Sequence, residues 1–95
     1  MRLINQDGMI DIPYENACVS INYRNKNQII AWNFGCENCE IATMATYSTE
    51  AKALKVMEML RKRYLDYLDV KLETFWYSND YPKVFQFPED EEMED

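Results

Sequence analysis

The chain has 95 residues, 47% of them apolar and only two of them glycine, which suits one folded domain with a modest core and excludes a low-complexity chain. It has no histidine, and no apolar run approaches the roughly 18 residues of a membrane span. Of the 17 acidic residues, six (Glu89, Asp90, Glu91, Glu92, Glu94 and Asp95) stand in the last seven positions, leaving 11 acids against 10 bases in residues 1–88. The body is therefore nearly neutral, and the basic footprint of a duplex nucleic-acid binder is missing.

The first segment, Arg2 to Pro13, carries two short apolar runs around Asp7-Gly8. Glycine accepts positive φ at little cost, so a tight hairpin is expected, ended by Pro13, which cannot donate a ladder hydrogen bond. Residues 17–34 predict a second hairpin. Val19, Ile21 and Tyr23 alternate with Cys18, Ser20 and Asn22. The run Arg24-Asn25-Lys26-Asn27 makes a polar turn, and Ile30, Trp32 and Phe34 share one face of the returning strand. A further strand is expected over residues 41–47.

Ser48-Thr49-Glu50 opens a helix predicted over about 49–68. Either hydroxyl can cap it, and Glu50 suits the positive end of the helix dipole. Ala53, Met57, Leu60, Tyr64 and Tyr67-Leu68 recur at three- and four-residue steps and form one apolar stripe. Residues 71–77 then read as a strand, 78–82 as a turn and 83–88 as a last short strand stopped by Pro88. The expected fold is α+β: an antiparallel sheet of hairpins with one amphipathic helix on a face, a single domain over 1–88, and an acidic, disordered tail over 89–95.

Without histidine there is no Ser-His or Cys-His nucleophile pair, and Gly8 and Gly35 alone cannot build a glycine-rich phosphate loop. The carboxylates of Asp7 and Asp11 read as flanks of a surface turn. A non-enzymatic role without a cofactor is expected. Cys36 and Cys39 form a C-x-x-C between two predicted strands, which reads first as a turn. It does not suit a redox dithiol, which sits at a strand-to-helix junction. A structural zinc site wants four ligands, so the motif could hold metal only if two copies of the chain met to supply four cysteines.

The rings are denser than one small core needs. Phe75, Trp76, Tyr77, Tyr81, Phe85 and Phe87 fall within 13 residues. Some are expected at the surface, where they could line a ligand pocket or the seam of a homodimer. The candidate ligand-binding set is Arg24, Trp76, Asn79, Tyr81, Lys83 and Phe85: rings to stack on a base, polar groups to hold phosphate or ribose.

Three stretches carry a resemblance: residues 1–15, MRLINQDGMIDIPYE; Tyr47-Ser48-Thr49-Glu50-Ala51-Lys52-Ala53 with Met57-Glu58-Met59-Leu60-Arg61; and Lys83-Val84-Phe85-Gln86-Phe87-Pro88-Glu89-Asp90-Glu91. Together they resemble small proteins of phages and prophages of Gram-positive bacteria, over roughly 40% of the chain. The resemblance implies an accessory protein working by binding in the host bacterial cytoplasm, and no site residues come with it. Two modes are expected for such a protein. One is similar to the anti-Thoeris proteins, which trap a cyclic-nucleotide immune signal at an oligomer interface; the other, of the anti-CRISPR kind, blocks a defence nuclease. The N-terminus lacks the apolar stretch of a signal peptide, which fits that setting and reduced thiols.

Overall fold

The computed structural model of the chain describes residues 1–33, 42–73 and 84–94. Its elements are β1 (Arg2–Ile4), β2 (Asp11–Pro13), a single 3-10 turn at Tyr14–Asn16, β3 (Ala17–Ile21), β4 (Gln28–Asn33), β5 (Ala42–Thr46), α1 (Glu50–Glu73), β6 (Val84–Gln86) and a second 3-10 turn at Asp90–Glu92. The class is α+β, as expected, but the strands form two three-stranded sheets rather than one. The first has the order β2-β1-β6 and the second β3-β4-β5.

In the first sheet β1 is central. It pairs antiparallel with β2, with Leu3 opposite Ile12, and parallel with β6, with Leu3 opposite Phe85. That parallel pair corrects the all-antiparallel expectation. A run of alternating residues reports burial and says nothing of strand direction, so only the crossover through α1 decides it. The β1–β2 turn follows its chemistry. Gly8 sits at φ +80°, Met9 N–H donates to Asp7 Oδ1 at 2.9 Å, and Asn5 Oδ1 accepts from Ile10 N–H at 2.9 Å. Asn5 is buried, and the Ile10 N–H satisfies its side-chain oxygen.

The second sheet is antiparallel throughout, with Val19 opposite Ala31 and Ile21 opposite Ile29. Ile29 and Ala31 are fully buried, while Ile30 and Trp32 on the other face are only half-buried. A register shift between Ile29 and Ile30 marks a bulge in the β4–β5 pair. It lets Met44 and Ala45, neighbours in sequence, both turn inward, which regular alternation forbids.

α1 lies against β3 and β4. Thr49 caps it: Thr49 Oγ1 accepts from the Lys52 N–H at 3.2 Å. Ala53, Val56 and Leu60 are buried, with Met57, Tyr64 and Tyr67 packed at the margin of the core. The helix runs to Glu73 and so takes in residues 71–73, read from sequence as the start of a strand. That reading took the run Lys71 to Tyr77 as one strand. No glycine or proline stands between residues 51 and 73, however, so nothing stops the helix. Tyr64 stacks on Tyr67 at 5.8 Å and meets Tyr14 of the first 3-10 turn at 4.5 Å, tying that turn to the helix. Burial, then the nearby Tyr64 ring, pushes the Tyr14 phenol up; Arg61 draws it down and Glu15 pushes it up.

Candidate binding surface

Two polar side chains join the sheets and fix where the C-terminal segment leaves β6. Gln6 N–H donates to Met44 O at 2.8 Å. Its side-chain Oε1 accepts from Thr46 N–H at 2.9 Å, while Nε2 donates to Thr46 O at 3.2 Å and Pro88 O at 3.0 Å. The buried Tyr47 donates its hydroxyl to the same Pro88 carbonyl at 2.8 Å. Burial first, and then the carboxylates of Glu89, Asp90 and Glu92, hold the Tyr47 phenol far above its ordinary value, so it remains a donor at any physiological pH.

Beyond Pro88 the chain does not dissolve into solvent as the sequence suggested. Glu89 and Glu92 form a reciprocal capping box around the 3-10 turn, and Met93 is buried against the core. Asp90 Oδ1 accepts from Ser48 N–H at 2.8 Å, Ser48 Oγ at 3.1 Å and Lys52 Nζ at 3.4 Å. Lys55 Nζ donates to Glu94 O at 3.5 Å. Six acids in seven residues read as a repelling, solvated run. The signal for order was Met93 inside that run, together with lysines at positions 52 and 55 of the helix.

Asp90 gives the segment a pH dependence. The Ser48 N–H bond does most to hold its carboxyl below its ordinary 3.8; desolvation opposes it, and the Ser48 hydroxyl and then Lys52 add to the lowering. A carboxyl lowered by folding contributes stability above its unfolded pKa and loses it as pH falls through the folded value. The segment is therefore expected to loosen below about pH 4. The Met93 amide should then exchange faster in hydrogen-exchange measurements while β4 stays protected, and Asp90→Asn should remove this step.

Two depressions lie beside this segment and share Gln6 and Glu89. One, of about 280 Å³, runs along Asn5–Asp7 and Thr43–Thr46. The other, of about 370 Å³, lies between Met59 and Arg63 of α1 and residues 85–89, with Glu92 at its rim. Their charged lining is Asp7, Glu89 and Glu92 against the single guanidinium of Arg63.

Of the sequence-derived ligand set, Arg24 and Phe85 fall among the described residues. Phe85 is 4% exposed and meets Phe87 edge-to-face at 5.2 Å, so it is a core ring and not a stacking platform. The alternation in β6 buries Phe85 and Phe87 on one side and turns Val84 and Gln86 outward, so two of the six rings of this stretch belong to the core. Arg24 stands in the β3–β4 turn, its guanidinium 5.8 Å from the centroid of the Tyr23 ring, which is 79% exposed. Trp76, Asn79, Tyr81 and Lys83 lie outside the described residues, as do Cys36 and Cys39. Cys18 is a half-buried free thiol on β3. Among the described residues no three Cys, Asp or Glu side chains come together as metal ligands, and no helix there is long and apolar enough to cross a membrane.

Compared with protein-family models, curated proteins and solved structures, the chain matches none of them.

Proposed function

We propose that the chain is a non-catalytic accessory protein of the phage type that counters host immunity by binding a defence protein, in the anti-CRISPR manner. The observation that carries the choice of a protein partner is the charge of the two depressions. Three carboxylates face one guanidinium there, and placing a phosphate-bearing signal beside them sets like charges together at a cost of several kcal/mol. The described surface offers anchors that suit a protein instead. Leu54, Met59 and Leu65 of α1 are 50%, 40% and 61% exposed, and Tyr23 projects from its turn beside Arg24. Large apolar and aromatic side chains among charges are where protein interfaces concentrate their binding energy. The phage and counter-defence part of the reading rests on the sequence resemblance.

The test is direct. Purified chain is mixed with defence nucleases of a Gram-positive host, and complexes are resolved by size-exclusion chromatography with light scattering, which also gives the oligomeric state. A stoichiometric complex weakened tenfold or more by Leu65→Glu supports the reading, and no complex with any effector removes it. The nucleotide-trapping mode is separated by thermal shift. A ligand at 100 times its Kd stabilises by about 2.7 kcal/mol, on the order of 10 °C for a chain of this size. Such a shift with a cyclic nucleotide would overturn the protein-partner version.

A further inference from the structure

We infer that the flank of α1 beneath the C-terminal segment is a docking groove for an acidic peptide, and that residues 89–94 occupy it in cis. Lys52, Lys55, Met59 and Arg63 recur at three- and four-residue steps, on the flank of the helix that adjoins buried Ala53, Val56 and Leu60. They form a strip of three cations around one thioether, and the occupant matches it in kind. Asp90 brings its carboxylate to the Ser48 N–H, the Ser48 hydroxyl and Lys52. Glu94 presents its carbonyl to Lys55, and Met93, set between exposed Glu92 and Glu94, is 8% exposed. An acid followed three residues later by a buried apolar side chain is a recognition pattern, and the 3-10 turn gives it its shape.

The attachment is built to come off at one point. Pro88 O is held by both Tyr47 and Gln6, and Phe87 N–H is bonded to Ile4 O at 3.0 Å, so β6 stays in place whether or not the segment beyond it is docked. The competitor is an acidic, methionine-bearing segment of another protein, matched to the strip by charge as the segment in cis is. Partly exposed ion pairs hold weakly and are screened by salt. Their advantage in cis is one of effective concentration, on the order of millimolar for a short tether. The inference rests on the proposed function only in taking the competitor to be a protein segment.

The probe is a synthetic peptide of residues 88–95, PEDEEMED, titrated to millimolar concentration into the full-length chain while amide chemical shifts are followed. The release variant is full-length Asp90→Ala/Met93→Ser, with thermal melting used to confirm that it folds. Peptide is expected to shift the Ser48, Lys52 and Lys55 amides of the release variant with a midpoint at least tenfold lower than in the parent. Raising salt to 1 M or adding Lys52→Ala/Lys55→Ala should abolish the shifts. The inference is overturned if the folded release variant shows no shifts on α1, if parent and variant respond alike, or if a scrambled peptide of the same composition binds equally well. Single Asp90→Ala and Met93→Ser chains supply the same comparison if the double variant does not fold. Because no defence protein enters the assay, failure here leaves the nuclease-complex result standing, and failure there leaves this one standing.

Discussion

Replacing Phe87 by alanine is expected to lower the free energy of unfolding by about 4 kcal/mol, the largest effect of any single substitution considered. The ring is 1% exposed and lies edge-to-face on Phe85 with an interplanar angle of 88°. Truncation therefore loses the transfer energy of the ring, opens a cavity, and removes an aromatic pair worth about 1 kcal/mol. For 95 residues, a total stability of roughly 5–14 kcal/mol is ordinary, so one ring accounts for a large share of it. Urea unfolding should show the midpoint falling with the slope unchanged. Phe87→Leu should lose less, and Val84→Ala on the exposed side of the same strand should stay within about 0.5 kcal/mol. An unchanged midpoint for Phe87→Ala would mean that the ring is not part of the core.

That contrast along β6 marks the limit of what the sequence showed. Phe85 and Phe87 alternate with Val84 and Gln86, and the alternation gave the strand correctly. It could not say which side faced inward, so Phe85, which is 4% exposed, was read as a surface ring. The hairpins and the start of the helix at Ser48-Thr49 were readable because glycine, proline, hydroxyl residues and short periodic runs act locally. Three features were not, because each depends on contacts between distant parts of the chain: the split into two sheets, the parallel β1–β6 pair, and the bulge that buries Met44 beside Ala45. The C-terminal segment is the plainest case. Its charge predicts solvation, yet the partners that hold it are Ser48 and Lys52, about 40 residues away. At the proposed surface, the sequence named Arg24 for its charge, whereas the adjoining Tyr23 and the groove along Met59 and Arg63 had no local signature.

Gln6→Ala is expected to destabilise by about 2 kcal/mol, the sum of three side-chain hydrogen bonds at modest net value each. The location of the loss makes it informative. Thr46 N–H gives up its Gln6 acceptor, so its amide should exchange faster, while Ile29 and Ala31 on the inner face of β4 keep their protection. Pro88 O retains the Tyr47 hydroxyl, so Tyr47→Phe should cost more in the Gln6→Ala background than alone, with a coupling of at least about 0.5 kcal/mol. Gln6→Glu separates hydrogen bonding from shape. The carboxylate can still accept from Thr46 N–H but now faces the Thr46 and Pro88 carbonyl oxygens and shares its depressions with Glu89. Its folded pKa should be raised, so the variant is less stable than Gln6→Ala near neutral pH and recovers as pH falls through that raised value. A difference between the two variants that does not change with pH would remove the electrostatic account. Gln6 also borders both depressions and helps hold Pro88, the point from which the C-terminal segment would swing. Gln6→Ala should therefore loosen residues 89–94 along with the joint between the sheets, and Met93 amide exchange should accelerate in step with that of Thr46.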